Sequence, residues 1–95
     1  MHQIEIEWDD ESIEHIWSHQ VEPNEVEEIL EGQHLFQRGR RNSYYGLGQT
    51  RGGRYLFVVL LKKSSGNFRV VTAREMTKTE QRQFKSKMKD EERYA

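Results

Sequence analysis

The chain contains no cysteine. That excludes a disulfide framework, a thiolate nucleophile and any zinc site built on sulfur. No apolar run approaches the roughly 20 residues of a membrane span. The opening Met1-His2-Gln3-Ile4-Glu5-Ile6-Glu7 lacks the basic and apolar stretches of a signal peptide. These absences predict a soluble cytoplasmic protein with no membrane contact. Also missing are a phosphate-cradling glycine motif, a His-Glu-x-x-His metal helix and a paired-carboxylate spacing. The last absence is of one sign of charge: residues 1–32 hold no Lys or Arg.

That first stretch carries eleven acidic side chains, whereas residues 33–95 hold all fifteen Lys and Arg against five acids. The total of −1 therefore hides a dipolar protein. Two readings are open. The acidic part pairs with the basic part inside one fold, or a cationic surface is kept for a polyanion such as RNA or DNA. Ninety-five residues make one domain. A chain of that length buries roughly 60–65% of its unfolded surface, enough for one modest core.

Residues 3–8 alternate, with Ile4, Ile6 and Trp8 on one side and Gln3, Glu5 and Glu7 on the other, which predicts a half-buried strand. Asp9 or Asp10 can cap a helix over 10–18, with Ile13, Ile16 and Trp17 on its inner face. Both tryptophans, Trp8 and Trp17, read as core residues. Pro23 opens a second helix over 23–31, whose Val26, Ile29 and Leu30 repeat at helical spacing up to Gly32. Short strands follow at 34–38 and 43–49, then a doubly apolar, central strand at 54–62 and another at 68–72. Thr77 and Glu80 form a capping-box pattern, predicting a last helix from about 78 to 90, with 90–95 fraying. The order is β-α-α-β-β-β-β-α. It predicts an α+β fold: a twisted antiparallel sheet with helices packed on one face.

On the last helix Lys78, Arg82, Lys85 and Lys89 fall within about 60° of one another, away from Phe84 and Met88. Further cations gather at turns and strand ends: Arg38, Arg40 and Arg41, then Arg51 and Arg54, then Arg69 and Arg74. Tyr44, Tyr45 and Tyr55 interleave with them. Cations that hold phosphates beside rings that stack on splayed bases suit single-stranded RNA. The same rings also fit ordinary packing on a sheet face. His15 and His19 have the spacing to share a metal, but no further ligands are recognisable, so no metal or cofactor is expected.

The segment from Arg69 to Phe84 resembles the signature of the BrnT toxin family, a late strand ending in a Ser-Ala-Arg-like element and then a helix with a Glu-Arg pair and an aromatic. Thr72-Ala73-Arg74, Glu80, Arg82 and Phe84 fill those places. Ile6-Glu7-Trp8-Asp9 is similar to the family's opening Phe-Glu-Trp-Asp. Gly48-x-Thr50, followed by Gly53-Arg54-x-Leu56-x-Val58-Val59, is similar to its central strand. Where the family usually has Lys-His-Gly, this chain has Ser18-His19-Gln20. The resemblance spans nearly the whole chain, in order.

What it implies is a RelE-like fold and the toxin half of a type II toxin–antitoxin pair: a metal-independent endoribonuclease. Its partner would be a DNA-binding antitoxin, usually a ribbon-helix-helix protein encoded downstream. Cleavage by the RNA's own 2′-hydroxyl needs a group to take the 2′ proton, cations to stabilise the charged phosphorus and an acid for the leaving 5′ oxygen. Arg54 and Arg74 suit the middle role, because a guanidinium grips phosphate oxygens bidentately. His19 suits acid or base chemistry near neutrality. Glu75 is an alternative base and Lys78 an assisting cation. Arg38, Arg40, Arg41, Tyr45, Arg51, Arg82, Lys85 and Lys89 are expected to bind RNA. Because Ser18 and Gln20 depart from the pattern, the alternative is a catalytically silent module that binds RNA or protein.

Overall fold

The computed structural model describes residues 4–94, with side chains through Asp90. Three helices and four strands follow in the expected order: α1 Asp10–Trp17, α2 Pro23–Glu31, β1 His34–Arg38, β2 Ser43–Gln49, β3 Tyr55–Lys62, β4 Phe68–Glu75 and α3 Lys78–Tyr94. This is a single α+β domain. The strands form one antiparallel sheet in the order β1-β2-β3-β4.

Each helix is started by local chemistry. Asp9 Oδ1 accepts from the Ser12 N–H at 2.7 Å, and the Ser12 hydroxyl oxygen accepts from the Asp9 N–H at 3.3 Å. Glu25 accepts from the Glu22 N–H at 3.1 Å, one position past Pro23 and Asn24. Thr77 and Glu80 exchange the reciprocal bonds of a capping box, at 2.8 and 3.1 Å. The chain leaves α1 through a Schellman closure. Val21 N–H donates to Ile16 O at 3.1 Å and Gln20 N–H to Trp17 O at 2.8 Å. Ile16 and Val21, the apolar pair of that motif, are both fully buried. Gln20 takes the left-handed position, at φ 61°.

The alternation of β3 divides the molecule. Leu56, Val58 and Leu60 face α1 and α2, forming the main core with Ile16, Val21, Val26, Ile29, Val70 and Ala73. Helix α2 lies so close to β2 that a Cβ on Gly48 would come within 2.9 Å of Ile29 Cβ. Tyr55 and Phe57 project the other way. There Met76, Phe84 and Met88 pack with Leu35 and Leu47 in a second, smaller cluster. The helices therefore divide between the two faces, where packing on one face was expected. A central strand that is apolar on both sides needs cover on both sides.

Other expectations shift as well. Of the strand expected at 3–8, Gln3 lies outside the described residues. The part from Ile4 onward contributes one parallel bridge, Ile6 beside Phe68, held by two 2.8 Å backbone bonds. Strand β4 runs on to Glu75, past the expected end at Thr72, because Ala73 and Arg74 still pair with Val58 and Phe57. Helix α3 continues to Tyr94 rather than ending near residue 90. Trp17 is 60% exposed rather than core. It sits on the solvent side of α1, whereas Trp8 packs against the main core and donates to Glu27 at 2.8 Å.

Candidate nucleic-acid interface

The sheet face opposite α1 and α2 is only partly covered. Helix α3 packs across one end of it, over Leu35, Leu47, Tyr55 and Phe57. Beyond that end the register sets Tyr45 beside Val59 and Val59 beside Thr72, while Phe57 is beside Arg74. Tyr45, Phe57, Val59, Thr72 and Arg74 are all half-buried, and Leu61 further along is 41% exposed. Val71 is the unpaired residue of a β-bulge, since Val59 pairs with Thr72 and Leu60 with Val70.

Aromatic and cationic groups run in a line across this face. The rings of Tyr45 and Phe57 stack at 5.5 Å with a 28° interplanar angle. The Arg74 guanidinium carbon lies 4.4 Å from the Phe57 ring centre, a cation–π arrangement. At the other end the Tyr45 ring lies against Gly39: a Cβ there would come within 2.9 Å of it. Gly39 belongs to the β1–β2 hairpin that carries Arg38, Arg40 and Arg41, all exposed and in no ion pair among the described residues. Of these, Arg38 is paired with Tyr44 and so belongs to the opposite face, and the line runs from the tip of the hairpin, which holds Arg40 and Arg41, through two stacked rings to Arg74. Phe57 was not a sequence candidate. Its place at an odd position of β3, between Tyr55 and Val59, is the signal that could have found it.

The arginines expected to act together occupy neighbouring but different places. Arg54 precedes β3, and its Nη1 donates to both Glu25 oxygens at 2.8 and 2.9 Å and to the Gln20 carbonyl at 2.9 Å. Its Nε is 3.6 Å from Glu75, whose side chain is 67% exposed. Arg74 forms a two-pronged pair with Glu80, at 2.8 and 3.0 Å, and its Nη1 also donates to the Glu75 carbonyl at 3.1 Å. Glu75 thus stands between the two, its carboxylate towards Arg54 and its carbonyl oxygen towards Arg74. The pair straddles the sheet end; Arg54 lies with the acidic helices and Arg74 on the open face. They do not converge on one free pocket.

One device holds both. Glu25 and Glu80 are the capping glutamates of α2 and α3, and each uses its carboxylate a second time to grip a sheet arginine. Arg74 and the Thr77 N–H hold Glu80 below the usual carboxylate range, and Glu80 in turn raises Arg74 further. Neither glutamate's second role was visible in the sequence, since the partners lie 29 and 6 positions away.

The remaining candidates scatter. His19 is exposed in the turn after α1, one residue from the carbonyl that receives Arg54, and its ring lies edge-on to His15 at 5.6 Å. Among the described residues no three His, Asp or Glu side chains gather for a metal. Lys78 and Arg82 are exposed on α3, and Arg82 reaches Thr79 at 3.4 Å. Lys85 lies 4.9 Å over the Tyr55 ring, and Lys85 and Lys89 line a cavity of about 760 Å³ with Gln33, Gln49 and Met88. Arg51 is exposed at the β2–β3 turn, where its N–H donates to Glu28. Tyr44 belongs to the opposite face, stacked on Phe36 at 5.2 Å. No described helix is long and apolar enough to cross a membrane. The chain matches no protein-family model, no curated protein and no solved structure.

Proposed function

We propose that this chain is an RNA-directed toxin of a type II toxin–antitoxin pair, acting in the cytoplasm as a metal-independent endoribonuclease. The observation that carries the RNA part is the continuous line of hairpin arginines, Tyr45, Phe57 and Arg74 on a half-covered sheet face. Rings there can stack on unpaired bases while guanidinium groups hold the intervening phosphates. The toxin part rests on the resemblance to the BrnT family. Gln20 adds to that support: its φ of 61° is the conformation that favours the glycine found there in the family.

In this reading a phosphate displaces Glu80 from Arg74 and takes over its two-pronged contact. Glu75, exposed between the arginines, takes the 2′ proton, and the 2′ oxygen attacks phosphorus. The P–O5′ bond then breaks, and His19 or Lys78 supplies the proton to the leaving oxygen. A ribbon-helix-helix antitoxin encoded downstream would neutralise the activity.

The test is to incubate purified protein with RNA in a chelator. Cleavage that Arg74→Ala abolishes, with the variant still folded, supports the proposal. Intact RNA, together with normal growth on expression, overturns it as a nuclease.

A second reading has a specific observation in its favour. Both arginines are already neutralised by carboxylates and point to different faces, which suits a protein that binds RNA without cutting it. It predicts salt-dependent binding with no cleavage.

A further inference from the structure

The face of the sheet that carries α1 and α2 is not filled by them. Beside the C-terminal end of α2 lies an open groove of about 1070 Å³. Its apolar lining comes from Ile4, Ile6, Leu30, Phe36 and Phe68. Phe36 is 37% exposed, high for a phenylalanine on a sheet face. It is also held firmly in place. Tyr44 stacks on one side of it, and Phe68 meets it edge-on at 5.7 Å. The groove is therefore a preformed apolar surface rather than a loosely packed one.

Its rim is mainly anionic. Glu5, Glu27 and Glu31 line it against one lysine, Lys62, and His34. Of the eleven acids in the first 32 residues, Glu7, Asp9, Glu11 and Glu25 are paired with Lys63, Arg69 and Arg54, whereas Glu5, Glu27 and Glu31 at the rim are in no ion pair among the described residues. That field repels nucleic acid and attracts cations.

We infer that this groove docks a basic amphipathic helix of a partner protein. Apolar side chains at helical spacing enter over Phe36, Phe68 and Ile6, and Lys or Arg on the flanks meet the glutamates of the rim. The apolar floor of the groove is made by the side chains of Leu30, Phe36 and Phe68, which suits the apolar stripe of an amphipathic helix. A helix of about 18 residues is roughly 27 Å long, close to the 28 Å middle dimension of the molecule. A second copy of this chain is a poor occupant. Its own basic amphipathic helix, α3, has already buried Phe84 and Met88 in its own core. The inference is independent of what the opposite face binds.

The test uses three labelled 18-residue peptides and fluorescence anisotropy. One carries Leu at positions i, i+3, i+4 and i+7 and onward, with Lys on the polar side. A second has Glu for Lys, and a third has the first peptide's composition with its Leu scattered. The first should bind, and the other two should bind at least about tenfold more weakly. Phe36→Lys should reduce binding of the first about tenfold, as should the double variant Glu5→Lys with Glu31→Lys. The double variant alters exposed side chains outside both core clusters, so its fold is secure even if Phe36→Lys loosens the Tyr44 stack. RNA binding should not fall in either variant. Failure of the first peptide to bind, equal binding of the scattered peptide, or unchanged affinity in the double variant would each overturn the inference. So would self-association of the chain that Phe36→Lys abolishes, which would make a second copy the occupant.

Discussion

One strand serves two unlike surfaces. Leu56, Val58 and Leu60 of β3 are fully buried beneath α1 and α2, while Tyr55, Phe57 and Val59, each one residue away, are only half-buried on the side of α3. The first face packs against two acidic helices and supplies most of the core, with the apolar groove beside Phe36 left open at one end. The second is covered at one end and keeps its aromatic and cationic groups near solvent. The face that supplies most of the core and the face proposed to meet RNA thus lie on opposite sides of the same eight residues. Because side chains alternate along a strand, the two roles do not compete for positions.

The largest expected effect contrasts the faces directly. Leu56→Ala should cost about 2–5 kcal/mol in urea unfolding, because it empties a site enclosed by α1 and α2. Val59→Ala, three residues on but facing the open side, should cost roughly 1 kcal/mol. Equal costs would mean that the open face is as tightly packed as the other.

Next comes the charge clamp on the open face. Glu80→Gln keeps the capping box, which accepts either residue, but removes the charge that neutralises Arg74. Affinity for single-stranded RNA should rise by about threefold to tenfold, read by anisotropy at fixed salt. No change, or a fall, would remove Arg74 from the list of phosphate contacts.

A smaller effect sits on the side of α1 and α2. Gln20→Gly relieves a left-handed glutamine in the Schellman closure and should stabilise the protein by about 1 kcal/mol. The Gln20 carbonyl remains available to Arg54, so any activity should persist.

The smallest effect is at low pH. Hydrogen bonds from Lys63, Asn67 and Ser65 hold Glu7 down from 4.5 to about 2. Arg69 and Ser12 hold Asp9 down from 3.8 to about 2. Both folded-state values are depressed, so the stability these groups add is present above about 4.5. It is lost as pH falls towards 2. Glu7→Gln with Asp9→Asn should flatten the acid limb of the stability–pH curve in that window. The effect is modest, since both pairs are at the surface.

Much of this architecture was legible in local pattern. The helical spacing of Val26, Ile29 and Leu30 and the Thr77–Glu80 box each depend on residues a few positions apart, whereas the alternation at Ile4, Ile6 and Trp8 yields one bridge and no strand of its own among the described residues. Such short-range signals gave α2, β1 and β2 their ends. They also narrowed the cap of α1 to Asp9 or Asp10, of which the structure uses Asp9. The site was less legible. Arg54 and Arg74 are legible as arginines beside strand ends, but their partners Glu25 and Glu80 are hidden in capping positions. Trp17 sits at the right spacing for the inner face of α1, yet it is 60% exposed, and Ile16, one position earlier, is the fully buried residue that joins Val70 and Ala73 in the main core. Tyr44 and Tyr45, adjacent in sequence, went to opposite faces, and only the second joined the line with Phe57.

By itself the sequence determined the elements, their order and the split of charge, because capping, turn formation and periodicity are decided by near neighbours. The tertiary structure alone decided that the helices flank both sides of the sheet, that two capping glutamates reach back to clamp two arginines, and that Phe36 floors an acidic groove. Those outcomes depend on which surfaces meet once strands far apart in the chain have paired, and no local pattern records that choice.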